Sequence, residues 1–322
     1  MSEQPPELLL VGPSRPVFER GFAGFAVHRL PATDRDAWLS SITHVRAMAV
    51  TAMEQVDDAL FARLPRLEII ASFGVGYDHV EVRAAAHRGI IVTNTPDVLT
   101  EEVADTTLGL LLCTVRELPQ AERYLRAGKW LKRPYPLSPA TLRNRTVGLV
   151  GMGRIGMAIA RRLEAFGMTI VYHSRQPRPE LSYRYFSSLI EMAGAVDTLI
   201  VIVPGGPSTR NMIDAKVLEA LGPNGILINI ARGSVVDEPA LIAALEERKI
   251  FAAGLDVFAD EPHVPAELIA MENVVLLPHV GSASVFTREK MDQLVVDNIL
   301  AWAAGKPPLT PVAETPWRAW KP

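Results

Sequence analysis

The stretch TVGLVGMGRIGMAIARRLEAFG, Thr146 to Gly167, constrains this chain more than any other. A β-branched and aliphatic run enters a tight glycine turn, and a helix-patterned segment leaves it at once. In this G-x-G-x-x-G spacing Gly151 would make the turn and Gly153 would let backbone approach a pyrophosphate. Gly156 would let the helix pack on the strand. Arg154 and Ile155 open that helix, whose amide-rich N-terminus faces the turn and suits a phosphate. The bland alternative, a glycine-rich β–α turn with no ligand, lacks a reason for all three spacings together.

The rest of the chain extends the same pattern. ELLLVG (Glu7–Gly12), AMAVT (Ala47–Thr51), LEIIASFG (Leu67–Gly74) and GIIVTNTP (Gly89–Pro96) read as buried strands separated by helical stretches. A second series follows: TVGLVG, MTIVYHS (Met168–Ser174), DTLIVIV (Asp197–Val203), GILINI (Gly225–Ile230), FAAGLDV (Phe251–Val257) and NVVLLPH (Asn273–His279). Strand–helix alternation of this kind predicts parallel sheets covered on both faces. One long helix is expected from about Thr100 through LTEEVADTTLGLLLCTVRELPQAERYLRAGKW, with a threonine cap and acids in its first turn. A last helix stops at Gly305 before Pro307 and Pro308. The expected fold class is α/β, with two doubly wound parallel-sheet domains. A Rossmann cofactor domain, 99–283, is inserted into a flavodoxin-like substrate domain, 1–98 and 284–322. The terminal helix would return to the first domain and leave a cleft between the two.

The loop after the second strand of the glycine unit carries the cofactor choice. NAD-binding versions place an acid there for the ribose 2′-hydroxyl, whereas an arginine accommodates a 2′-phosphate. Here the strand ends Tyr172-His173-Ser174-Arg175-Gln176-Pro177-Arg178, and no acid comes before Glu180. Ser174 can donate a hydrogen bond to a phosphate dianion, and Arg175 and Arg178 can make charge-assisted contacts. The arginines could equally be a solvated loop, but the missing carboxylate favours NADPH/NADP+, with NADH the weaker alternative.

Three later stretches end strands with polar residues: Arg232 in NIARGSVVDEPAL, Asp256 and Glu261 in GLDVFADEP, and His279 in LLPHVGSAS. Strand ends in a doubly wound sheet line the ligand crevice. Singly, each is more often a solvated arginine, a turn or a structural histidine; together, beside a phosphate loop, they outline a site.

These motifs, with FGVGYDHV and SRQPRPE, resemble the D-isomer-specific 2-hydroxyacid dehydrogenases, and among them the NADPH-dependent glyoxylate/hydroxypyruvate reductases, over nearly the whole chain. The resemblance implies reduction of a small 2-oxo acid to the D-2-hydroxy acid. Arg232 would bind the substrate carboxylate and 2-oxo group, and His279 would protonate the carbonyl oxygen as hydride arrives. Glu261 would orient His279 and favour its charged form. The chemistry suits these roles, since hydride addition builds an alkoxide that needs a proton within hydrogen-bond reach. Backbone at Val75 and Gly76 would hold the carboxylate from the other domain. Thr107, Pro204, Ile230, Asp256 and Gly281, together with Arg232 and His279, would lie along the cofactor. Members of the family are usually dimers, and a homodimer through the cofactor domain is expected. Formate dehydrogenases of the same superfamily pair their histidine with Gln, so Glu261 argues against formate.

One departure bears on substrate. Vertebrate-type hydroxypyruvate reductases carry a second tryptophan three residues after the one in their GGW stretch, whereas AGKWLKRPYPLSP has Trp130 followed by Arg133. The stretch is more similar to plant hydroxy(phenyl)pyruvate reductases, which keeps larger or aromatic 2-oxo acids in view. A nucleotide-sensing co-repressor of the same fold is the reading from another class, but such proteins carry an acid after the second strand. At 322 residues with net charge −3, the chain has no global attraction to nucleic acid or anionic membrane. No apolar run approaches the ~18 residues a bilayer requires. The N-terminus lacks the basic start of a signal peptide. The single cysteine, Cys113, sits among helix-spaced aliphatics and reads as core packing. The expectation is a cytoplasmic protein with no metal site.

Overall fold

Each of the two series of apolar runs forms one parallel sheet in a computed structural model, which describes residues 5–51 and 54–317. The contacts divide the chain into two units, Met1–Leu99 with Ser284–Pro322, and Thr100–Ala283. In the first unit the strands are β1 (Glu7–Val11), β2 (Ala26–Arg29), β3 (Ala47–Val50), β4 (Ile69–Ser72) and β5 (Ile91–Thr93), in the order β2-β1-β3-β4-β5. That is the flavodoxin-like order of doubly wound folds. β2 is an addition to the four expected strands. Its alternating AVHR lies at the sheet edge and is half-exposed, so it lacks the apolar run that marks its neighbours. Period-two alternation sorts the strand residues onto two faces. Leu9 and Val11 pack with Leu39, Ile42 and Phe61, while Leu8 and Leu10 pack with Phe18 and with Val295, Ile299 and Trp302 of the terminal helix, Val285–Ala303.

The second unit holds β6 (Thr146–Val150), β7 (Thr169–His173), β8 (Arg184–Phe186), β9 (Thr198–Val201), β10 (Ile226–Asn229), β11 (Ala252–Leu255) and β12 (Val274–Leu276). Their order, β12-β11-β10-β9-β6-β7-β8, reverses direction between β6 and β9, the switch point where such sheets bind ligands. β8 was not expected either; three residues are too short a run to show a period. It pairs in register with β7, Tyr172 facing Tyr185. Apolar clusters cover both faces of this sheet.

The expected single long helix is interrupted. It runs Thr100–Arg116, with Thr100 as its first helical residue, and a second helix runs Leu118–Arg126. Glu117 between them is left-handed at φ 52°. Pro119 is the cause: it has no N–H for the Val115 carbonyl four residues back, and its ring clashes with a continuing turn. The Ser138 hydroxyl donates to that carbonyl instead, at 2.9 Å. Cys113 is half-buried against the core of this unit, and burial pushes its thiol pKa up. Among the described residues no helix is long and apolar enough to cross a membrane.

Candidate active site

β6 runs into Gly151, whose φ of +107° only glycine adopts without strain. A Cβ there would sit 2.8 Å from the Ile202 carbonyl oxygen. One at Gly156 would sit 2.4 Å from the Gly151 carbonyl, because the helix Arg154–Ala165 is pressed onto the turn. At Gly153 the result is the opposite, with nothing within 4 Å of a built Cβ. Gly153 is also the N-cap of the helix and supplies no capping side chain. Space beside the loop and an uncapped first turn fit a pyrophosphate. Ile155 is half-buried and Arg154 exposed at the start of this helix.

The basic loop after β7 is anchored by two tyrosines that sequence reasoning passed over. The buried Tyr172 hydroxyl accepts from the Arg178 N–H at 2.8 Å, and the Tyr185 hydroxyl donates to the Ser174 carbonyl at 3.2 Å. The three cofactor candidates part company here. Ser174 turns its hydroxyl into the loop, donating to the Gln176 carbonyl at 2.6 Å. Arg178 donates to the Met152 carbonyl at 2.6 Å and pairs with Glu180 at 2.7 Å. The carboxylate of Glu180 is thus held by an arginine of its own loop, and its pKa is lowered by hydrogen bonds from its own backbone and from Arg178. Arg175 is exposed and makes no hydrogen bond or ion pair among the described residues. Its charge is the one left to meet an incoming anion.

Arg232, Asp256 and His279 follow the C-terminal ends of the adjacent strands β10, β11 and β12. The buried Asn229 shapes the first of these ends: its amide donates to the Arg232 carbonyl, and its oxygen accepts from the Ala231 N–H. Arg232 donates to the Ala231 carbonyl at 2.8 Å. Asp256 is only 1 % exposed, and its two carboxylate oxygens accept from the N–H groups of Val280 (2.7 Å) and Gly281 (2.8 Å). Burial raises its pKa, and those two amides oppose the rise. A carboxylate so committed is a clamp for the 279–281 loop. That clamp explains how His279 is held at φ 52°, a left-handed conformation that costs a non-glycine residue on the order of 1–2 kcal/mol. At Gly281 a built Cβ would lie 3.0 Å from Asp256 Oδ2, closer than ordinary van der Waals contact.

His279 Nδ1 lies 2.7 Å from Glu261 Oε2, and the other Glu261 oxygen accepts from the Phe258 N–H at 3.1 Å. Burial of Glu261 opposes its ionisation, but the His279 hydrogen bond and charge, the Phe258 amide and the Arg232 charge outweigh it, so its pKa is lowered. With Nδ1 engaged, Nε2 has no protein partner among the described residues and is the nitrogen able to exchange a proton with a ligand. Ile230 is buried beyond β10, and Pro204, after β9, is exposed. Thr107 must be taken off the cofactor surface. It is completely buried and its hydroxyl donates to the Val103 carbonyl one helical turn back. The half-buried Thr106, which sequence reasoning missed, reaches the Gly281 carbonyl at 3.1 Å.

In the other unit, Val75 and Gly76 follow β4 in a loop pinned by Thr95 on Gly74 and by Asn94 on the Val75 carbonyl. Their own N–H groups donate to no protein acceptor among the described residues. Phe73, at the start of this loop, has the Arg15 guanidinium 4.2 Å and that of Arg288 5.3 Å from its ring centroid. Arg15 in turn pairs with the buried Asp292 at 2.5 Å. Nothing in the local sequence brings these four together. His79, near the same loop, is 2 % exposed and hydrogen-bonded to Ser72, a histidine held in the interior. Arg46 makes a forked pair with Glu68 and packs on Trp302, so it is not a free cation for a substrate.

A phosphate loop at the switch point, with an acid–base pair and an arginine at neighbouring strand ends, defines a dinucleotide-dependent α/β oxidoreductase. Residues 108–281 match the D-isomer specific 2-hydroxyacid dehydrogenase, NAD binding domain. The chain is 48 % identical over 268 residues to glyoxylate/hydroxypyruvate reductase A HPR2 of Arabidopsis thaliana, covering 83 % of this chain and 85 % of that protein. It is 45 % identical over 294 residues to hydroxyphenylpyruvate reductase of Plectranthus scutellarioides, covering 91 % and 93 %. The solved structure of the NADPH-dependent glyoxylate/hydroxypyruvate reductase of Sinorhizobium meliloti, in complex with NADP and malonate, superposes with a TM-score of 0.95 at 54 % identity over 98 % of this chain and 99 % of that one. The chain belongs to the D-isomer-specific 2-hydroxyacid dehydrogenase family.

Proposed function

We propose that this protein is an NADPH-dependent reductase of small 2-oxo acids, acting on glyoxylate, hydroxypyruvate or a close analogue to give the D-2-hydroxy acid. The observation that carries the reading is the 2.7 Å contact between His279 and Glu261 at a strand end of a dinucleotide-binding sheet. Bound NADPH would supply the hydride. The protein's own work is positional and protic. Arg232 offers a planar fork matched to a carboxylate and its neighbouring carbonyl. In the other unit, the amides of Val75 and Gly76, with no protein acceptor among the described residues, are donors suited to a carboxylate. His279 holds a proton on Nε2 for the carbonyl oxygen, and Glu261 keeps Nδ1–H engaged so that the ring neither flips nor changes tautomer. Hydride at the carbonyl carbon and proton at its oxygen complete the hydroxy acid. Unit Thr100–Ala283 is assigned the cofactor: Gly151, Gly153 and Gly156 shape the loop for its pyrophosphate, Arg175 meets its 2′-phosphate, and Ser174 and Arg178, bonded within their own loop, hold that loop in place. The other unit is assigned the substrate.

A second reading, reduction of larger or aromatic 2-oxo acids, rests on Arg133 at the place of a second tryptophan and on the similarity to a hydroxyphenylpyruvate reductase. We take the protein to work in the cytoplasm as a homodimer. The assembly is supported by the Leu118–Arg126 helix, which buries none of its residues, and by the exposed Trp130, Leu131 and Leu137 beyond it.

The test is a set of initial rates for glyoxylate, hydroxypyruvate and hydroxyphenylpyruvate with NADPH and NADH, on the parent and on Arg175→Asp. The parent should prefer NADPH by ~10-fold or more, about 1.4 kcal/mol, and the variant should lose that preference. Equal use of both cofactors by the parent would refute the 2′-phosphate reading, and turnover of the aromatic acid alone would favour the second substrate class.

A further inference from the structure

A cluster unrelated to hydride transfer lies in the first unit. Glu7 opens β1 and His28 is the third residue of β2. The parallel register pairs Glu7 with Ala26 and Leu9 with His28, so Glu7 and His28 project from the same face of the sheet. His44 arrives on that face from the turn before β3. Its strand neighbours run parallel throughout, so Glu7 lies at the margin where strands begin, whereas Val75 and Gly76 lie beyond the margin where β4 ends.

The three side chains converge on one point. His28 Nε2 lies 2.6 Å from Glu7 Oε2, and His44 Nε2 contacts the same oxygen. One ligand atom from each residue falls within 4.8 Å of the others. The imidazoles stand at 82° to each other with centroids 6.0 Å apart, and the Trp38 ring packs edge-on against His28 at 6.4 Å. The cluster borders the apolar group of Leu9, Leu39, Ile42 and Val45, yet each member keeps some solvent access. Two ring nitrogens from separate elements aimed at one carboxylate oxygen exceed what a surface ion pair needs.

We propose that Glu7, His28 and His44 form a binding site for a borderline divalent transition-metal ion of the Zn2+ type. Two imidazoles and one carboxylate are a donor set for such ions, while Mg2+ and Ca2+ favour all-oxygen shells and Cu+ favours sulfur. Bonds of about 2.0–2.2 Å in a tetrahedral arrangement put ligand atoms about 3.4 Å apart. Glu7 would therefore withdraw by about 1 Å, a side-chain adjustment. Three protein ligands leave one position for water, consistent with the partial exposure. The ion would tie β1, the edge strand β2 and the turn before β3 together.

The experiment measures Zn2+ by equilibrium dialysis and metal analysis on tag-free, chelator-stripped protein, comparing the parent with His28→Gln/His44→Gln. The parent should retain one more Zn2+ per chain than the double variant, and Zn2+ should raise the Tm of the parent alone. Circular dichroism and NADPH binding establish that the variant is folded. If it is not, His44→Gln, at the most exposed of the three, takes its place. Equal Zn2+ content in parent and variant overturns the proposal, whether both bind the ion elsewhere or neither binds it. Glu7 would then serve only as a shared partner for two histidines.

Discussion

Two glycines of one loop, three residues apart, have opposite jobs, and single methyl groups separate them. At Gly156 the added carbon meets the Gly151 carbonyl at 2.4 Å, a backbone contact that no rotamer relieves. Gly156→Ala is expected to cost about 1–3 kcal/mol, read by urea denaturation. At Gly153 the carbon meets nothing, and φ of −80° suits any residue. Gly153→Ala should therefore leave stability unchanged while weakening NADP+ binding by about tenfold or more, ~1.4 kcal/mol, measured by calorimetry. Glu261 has a pH signature. Its pKa is lowered in the folded protein, against burial, by His279, the Phe258 amide and Arg232. An acid with a depressed folded pKa stabilises fully above its ordinary value, about 4.3, and loses that contribution as pH falls through the lower one. The stability difference between the parent and Glu261→Gln should hold level from neutral pH to about 5 and shrink below about 4. A difference independent of pH would show that the carboxylate charge is not what the pair contributes.

Elements in the cofactor unit meet at positions where side chains have been removed. The helix Thr100–Arg116 approaches β11 over Gly254, where a built Cβ would lie 2.5 Å from Thr114 Oγ1 and 2.9 Å from Leu110 Cγ. Both belong to that helix, and Ile228 Cδ1 of β10 lies 2.8 Å away. Gly254→Ala should push it from the sheet and cost about 1–3 kcal/mol in chemical denaturation. Because Thr106 of the same helix holds Gly281, the variant should also lower kcat. The glycine loop, its helix and the three polar strand ends were legible because each is a local pattern: a spacing, a periodicity, a polar residue closing an apolar run. β2 and β8 were not, since a half-exposed edge strand and a three-residue strand carry too little period. The interruption at Glu117 was legible in principle, as Pro119 stands in the sequence, but helix-spaced aliphatics on both sides masked it.

On the scale of the molecule, the two most exposed large apolar side chains among the described residues lie in one stretch, although Ile269, Val285 and Phe286 are exposed elsewhere. Leu131 is 93 % and Leu137 94 % exposed, and Trp130 lies beside them. Isolated exposed leucines need no explanation, and the proposed homodimer rests on this stretch being a run of large apolar side chains. On the proposed homodimer, the parent should sediment as a dimer and Leu131→Asp as a monomer at micromolar concentration, with the circular dichroism spectrum unchanged. Monomeric parent protein would remove the dimer from the proposal.

The sequence by itself determined the α/β class, the phosphate loop with its three glycine roles, the absence of an acid before Glu180, and the family to which Arg232, Glu261 and His279 point. These depend on neighbours along the chain. Tertiary structure decided what depends on neighbours across it. It bound Arg178 to Glu180 and Met152 and left Arg175 exposed. It gave Asp256 the N–H groups of Val280 and Gly281 to hold, clamping the histidine loop. It buried Thr107 and His79, and it brought His28 and His44 onto Glu7 from three separate segments. A side chain's type is written in the sequence, but its partners are chosen by packing, and a carboxylate or guanidinium acts through the partner it has been given.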